Sequence, residues 1–302
     1  MRWEATALPS QAGRTFVITG GNAGVGFFSA AQLAGAGADV VLACRDDRKA
    51  DAAARAIRSR VPGAAVSTLP LDVADLQSVR TAVAAIAALP RVDGLIANAG
   101  IVHPPRDREA SLDGHELVFA TNYLGHFALV TGLLPALERT PGARVVLLGS
   151  LAARLTRSAL DDLELERAYD SWTAYAQSKL EVEVFGFELD RRLRAAGSPT
   201  AVMVVQPGYS VGGLSPRVPG VNEPSASKRF GDALQGLWAQ GKDRGARSVV
   251  RAATDPAAES GWYFGPRWLT QGAPVRHRPY RTSVDAAIGR RLWERSERIL
   301  SN

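Results

Sequence analysis

One cysteine, Cys44, stands in a chain of 302 residues, which excludes an internal disulfide and a cysteine metal cluster and fits a cytoplasmic enzyme. The four histidines, His103, His115, His126 and His277, are scattered without ligand spacing, and the carboxylates of 161–166 (DDLELE) read as a solvated loop, so no metal site is expected. No apolar run reaches the roughly 20 residues of a membrane-spanning helix. The opening MRWEATALPSQAGRTF lacks the apolar core of a secretory signal. Lysine is scarce, at 4 against 32 arginines. The net charge of +6 lies entirely in the last third: from Arg217 onward there are 15 basic and 8 acidic residues, against 21 and 22 before it. No basic run is interleaved with aromatics, so nucleic acid is not an expected partner, whereas an anionic small molecule is compatible with the charge.

What is present is alternation. Short apolar, β-branched runs at Thr15–Thr19, Asp39–Cys44, Ala65–Leu69, Gly94–Ala97, Arg144–Leu148 and Thr200–Val205 predict strands buried on both faces, as in a parallel sheet. Helical patterns lie between them: 25–35, a helix capped by Asp46 or Asp47 and running through Arg60, Asp75–Leu89, Asp113–Glu138 and Trp172–Ala195. This order predicts an α/β fold: a doubly wound parallel sheet of about seven strands, helices on both faces, in one domain over 1–302. Residues 209–248 are richer in Gly, Pro and Ser and predict a substrate loop or lid, with Phe230, Leu234, Leu237 and Trp238 at helical spacing. GWYFG at 261–265 predicts an edge strand, and Thr282–Leu300 a terminal helix.

The first strand runs into Thr19-Gly20-Gly21-Asn22-Ala23-Gly24-Val25-Gly26 and then a helix. Glycines there let the backbone approach a pyrophosphate, and the helix N-terminus offers N–H groups to it. The second strand ends in Ala43-Cys44-Arg45 with no acid at its tip. An acid at that point accepts from a free ribose 2′-OH, whereas an arginine pairs with a 2′-phosphate, so Arg45 predicts NADP(H) over NAD(H). Asp46 and Asp47 read as helix-start residues.

Further motifs follow in order. They are Leu71-Asp72-Val73, Asn98-Ala99-Gly100, Asn122 in TNYLGHF, Ser150 at a strand end, Tyr175-x-x-x-Lys179 and Pro207-Gly208. Together with the glycine loop, these resemble the short-chain dehydrogenase/reductase family over roughly residues 13–215. The segment between Ser150 and Tyr175, with Ala-Cys-Arg at the second strand, resembles its retinol-dehydrogenase-like branch. The resemblance implies a Rossmann-type sheet and assigns Asn122, Ser150, Tyr175 and Lys179 to catalysis. It assigns the cofactor to Thr19, Gly20, Asn22, Ala23, Gly24, Val25, Gly26, Arg45, Asp72, Val73, Asn98, Ala99, Gly100, Tyr175, Lys179, Pro207, Gly208 and Ser210. Two departures stand out. One serine, after Gly149, replaces the usual pair, and Gly212 occupies the place of a threonine that bonds the nicotinamide carboxamide, leaving Ser210 or backbone groups to substitute.

The implied chemistry is hydride transfer between nicotinamide and an apolar ketone, aldehyde or secondary alcohol. A tyrosine ordinarily near pKa 10 would need about 4 kcal/mol of phenolate stabilisation to work at neutral pH. Lys179 one turn along is expected to help supply it, Ser150 to hold the substrate oxygen, and Asn122 to hold a water in a proton relay. Leu151, Tyr209, Leu214 and Trp238 are expected to meet the substrate. A catalytically silent NADP-binding regulator and a C=C (enone) reductase on the same fold stay open as alternatives.

Overall fold

The computed structural model describes residues 8–156 and 160–301; the N-terminal segment 1–7, part of 151–170 and the last residue lie outside it. Eight strands form the main sheet: β1 (Thr15–Thr19), β2 (Asp39–Cys44), β3 (Val66–Pro70), β4 (Gly94–Ala97), β5 (Arg144–Leu148), β6 (Ala201–Val205), β9 (Tyr263–Pro266) and β10 (Pro274–His277). Their spatial order is β10-β9-β6-β5-β4-β1-β2-β3. All neighbours pair in parallel except β9 with β10. The expected seven strands become eight because β10, a half-exposed PVRH, pairs outside β9. The GWYFG segment is therefore interior, not the edge. A separate short parallel pair joins β7 (Ser210–Val211) to β8 (Gln240–Gly241).

Side chains alternate faces along each strand, and each face has its own core. On one face Val17, Leu95 and Val145 pack with Phe127, Leu133, Phe185 and Trp293. These come from α5 (Gly125–Glu138), α6 (Ser171–Ala195) and α9 (Ala286–Ser301), and α3 (Leu76–Ala87) adds Val79, Ala82 and Ile86. On the other, Phe16, Ile18, Leu42 and Val146 pack with Phe27, Leu33, Ile57 and Val249. Those helices are α1 (Gly24–Gly35), α2 (Asp47–Arg60) and α8 (Lys242–Thr254). The helix expected over 113–138 begins at α4 (Leu117–Phe119) and passes through a π-helical turn, Ala120–Leu124, before α5.

Among the described residues one helical stretch, Leu117–Glu138, is long and apolar enough to cross a membrane, but 67% of its apolar window is buried inside the protein. The 209–248 segment contains β7, β8 and α7 (Ala226–Leu234), and α8 begins inside its last residues. The candidate site is built from the carboxyl ends of the parallel strands and from residues of the helices beside them.

Candidate active site

Thr19 closes β1 and is fully buried. Its Oγ1 accepts from the N–H groups of Asn98 and Ala99, both at 2.9 Å, and faces His126 Nε2 at 2.9 Å. The amide of Asn98 donates back to Thr19 O at 2.8 Å. The tips of β1 and β4 are thereby locked together. Behind the loop, the Cys44 thiol accepts from the N–H groups of Asn22 and Gly21, while burial pushes it up to about 11. Cys44 is thus a strut and not a nucleophile.

Gly24 opens α1 at φ +59°. A Cβ at Gly26 would overlap Asn98 Nδ2 and Gly20 O. The N-cap, Ala23, makes no side-chain cap, and no acid lies in the first turn. The leading N–H groups of α1 are left to an anion, over a surface without side chains. The loop therefore fits a dinucleotide pyrophosphate; of the residues expected around it, Thr19 is buried beneath, with its hydroxyl committed to the tip of β4 and His126.

At the ribose end, Arg45 is exposed and its guanidinium lies 3.7 Å from Asp72 Oδ2. Asp46 accepts from Lys49 N at 3.1 Å and so caps α2, as expected for a helix-start residue. Asp72 accepts from Ala74 N at 3.0 Å, shaping the turn that presents Val73. At Gly100 a Cβ would come within 2.9 Å of Asn122 Oδ1 and 3.6 Å of Lys179 Nζ, so the sheet tip, Asn122 and Lys179 crowd one point.

The predicted catalytic residues meet there. The Tyr175 hydroxyl donates to Ser150 Oγ at 3.2 Å. Ser150 follows β5 and also accepts from Ala152 N at 3.2 Å. Lys179, buried one turn along α6, donates to Leu148 O at 2.9 Å. Burial pulls its ammonium down to about 8, partly opposed by Glu183. Burial likewise holds the Tyr175 phenol above its ordinary range, offset in part by its hydrogen bond to Ser150. In this arrangement the Lys179 ammonium is turned to a backbone carbonyl, and burial of the phenol prevails.

Asn122 sits in the π-helical turn, a device common at functional sites. Its amide is committed to protein: Oδ1 accepts from Ile101 N at 2.7 Å, and Nδ2 donates to Ile101 O and Ser178 Oγ at 3.1 and 2.9 Å. Two partners were not singled out from sequence. His126, one turn on, places Nδ1 3.1 Å from Asn122 O, and burial lowers it to about 4, so it is neutral. Its network assigns the proton to Nδ1, leaving Nε2 to accept from Thr19. Glu183 lies under Ser150, accepts from Tyr263 and Ser283, and is pushed up to about 7 by burial. The four-residue steps from Asn122 to His126 and from Lys179 to Glu183 were the available signals.

Pro207-Gly208 is pinned by the β9–β10 hairpin: Tyr209 N donates to Thr270 O at 2.8 Å and Gln206 Nε2 to Leu269 O at 2.9 Å. The Ser210 hydroxyl donates to Pro207 O at 2.8 Å, so its proton is spent within the turn. Of the expected substrate residues, Leu151 and Leu214 are half-buried, whereas Tyr209 and Trp238 are exposed, with Phe230, Leu234 and Leu237. A separate cavity of about 500 Å³, lined by Leu155, Leu165, Trp172 and Ala176 among others, contains none of the four residues expected to be catalytic. The hydroxyl pair at Ser150 and Tyr175 lies instead at the tip of β5, at the same carboxyl edge of the sheet as the glycine loop after β1.

A short chain dehydrogenase family model matches residues 14–216. Human retinol dehydrogenase 13 is 36% identical over 97% of this chain and 87% of its own length. Mouse (Mus musculus) polyprenol dehydrogenase is 35% identical over 97% and 85%. A crystal structure of an uncharacterized protein from Mycobacterium Paratuberculosis, 36% identical, superposes with a TM-score of 0.80 over 99% of this chain and 98% of that one. The chain belongs to the short-chain dehydrogenase/reductase family of oxidoreductases, in its retinol-dehydrogenase-like branch.

Proposed function

We propose that the protein is an NADP(H)-dependent oxidoreductase acting on an apolar ketone, aldehyde or secondary alcohol, with Tyr175 as acid and base. The observation that carries this reading is the Tyr175–Ser150 hydroxyl pair at 3.2 Å beside the glycine loop. The cofactor supplies or accepts the hydride when bound. Ser150 Oγ holds the substrate oxygen and polarises it. Tyr175 Oη gives its proton to that oxygen as the carbonyl carbon is reduced, and takes it back from the alcohol in the other direction. Lys179, one turn along α6, would favour phenolate as the proton leaves once its ammonium turns from Leu148 O toward the pair.

NADP(H) is favoured by Arg45 at the tip of β2 and by Asp46, whose carboxylate is occupied as a helix cap. Arg45→Asp is expected to invert the preference for NADPH over NADH; equal affinities in the wild type refute the assignment. An apolar substrate is supported by the rim of Tyr209, Phe230, Leu237 and Trp238, and by relatives named for retinol and polyprenol. Tyr175→Phe tests the mechanism: turnover is expected to fall at least about a hundredfold, the usual contribution of a general acid, with NADPH binding retained. A variant that still turns over at the wild-type rate sinks the proposal, and NADPH binding without turnover of any carbonyl or alcohol favours a silent regulator.

A further inference from the structure

We propose that Lys242 is a cofactor-binding residue whose ammonium contacts the pyrophosphate from the side opposite the glycine loop. The inference rests on the reading of that loop as a dinucleotide site. Lys242 is the first residue of α8 and directly follows β8, which pairs with β7 beside 210–212. Its backbone is fixed: Lys242 N donates to Ser215 Oγ at 2.7 Å, and Gln32 of α1 donates to Asp243 O at 2.9 Å. The side chain runs back over the phosphate loop. A Cβ at Gly24 would lie 3.7 Å from both Lys242 Cδ and Nζ, and one at Gly212 4.0 Å from Cε and Nζ. The ammonium thus stands between the opening residue of α1 and a lid residue with no side chain to contest the space.

Among the described residues this ammonium makes no ion pair and no hydrogen bond. The acid that acts on it, Asp232, is taken by Lys228 at 3.1 Å. Burial, and then Lys228, hold Lys242 below the usual lysine range, with Asp232 opposing. A half-buried, unpaired cation is costly unless an anion arrives. The leading N–H groups of α1 face the same space and ask for the same anion. A diphosphate bridging the two would satisfy both, with the lysine as a point charge.

The test measures equilibrium binding of NADPH, NADH, ADP-ribose and 2′-AMP to wild type, Lys242→Met and Lys242→Arg. The Met variant is expected to weaken NADPH, NADH and ADP-ribose alike, about tenfold for one charge-assisted contact. It should leave 2′-AMP, which has no pyrophosphate, unchanged, and the Arg variant should restore most of the loss. Unchanged dinucleotide affinities overturn the inference while leaving the dinucleotide site in place. Weakened NADPH with unchanged ADP-ribose also overturns it, moving the ammonium to the nicotinamide end. A wild type that binds neither NADPH nor NADH removes the parent reading together with this one.

Discussion

At the scale of single residues, the site depends on charges held where they do not want to be. An unfolded chain keeps the Lys179 proton up to about 10.5, whereas the folded protein keeps it only to about 8. Folding is therefore penalised below pH 8, and stability rises as pH climbs from about 8 to about 10.5. Lys179→Met should accordingly unfold at higher urea at pH 7, by roughly 1–3 kcal/mol, while losing activity. The gap should close above pH 10; a variant no more stable than wild type at pH 7 contradicts this account. Tyr175, Lys179 and Ser150 were legible in the sequence because spacing and order carry them. Their surroundings were not. Gly149 replaces a second serine because any Cβ there would sit 2.7 Å from Glu183 Cγ and Oε1, and Glu183 lies on another element. Such a packing constraint leaves no local pattern to read.

Among the elements, strands β1, β2, β4 and β5 coincide with their apolar runs, since a strand buried on both faces writes itself as a continuous hydrophobic word. β10 was hidden because half of it faces solvent. The helix expected from Asp113 starts later because Asp113 is spent elsewhere, accepting from Leu76 N at 2.8 Å, while Glu116 caps the helix through Val118 N and Phe119 N. The apolar stripe of α7 was legible, but its direction was not: Phe230 and Leu234 are 69% and 65% exposed. The π-helical turn hands over to α5 at Gly125, where a Cβ would collide with Val73 O of the expected adenine turn. Gly125→Ala should cost about 1–3 kcal/mol in thermal or urea unfolding, as overpacking does. It should also weaken 2′-AMP binding. Unchanged affinity would show that the turn is not read by the adenine half.

At the scale of the whole molecule, α9 closes the core from the far end of the chain. Trp293 packs on Phe127 with ring centroids 5.0 Å apart and Ser296 meets the Tyr123 hydroxyl at 2.6 Å. The apolar rim lies on the opposite, reacting side, where Leu237 accepts from Gln271 of the β9–β10 hairpin near exposed Trp268. If that rim receives an apolar substrate, Phe230→Ser combined with Leu237→Ser should raise KM severalfold for a long-chain aldehyde and leave a short one unaffected, at roughly 1–2 kcal/mol of lost burial. Equal changes for both chain lengths would count against it. Between these two sides runs the line from Thr19 through His126 to the π-helical turn at Asn122. Because its imidazole stays uncharged down to about 4, that line keeps one arrangement across the working pH range. The halves proposed to grip a cofactor and to move a proton are therefore preset with respect to each other, and little ordering entropy is left to be lost when a first ligand arrives.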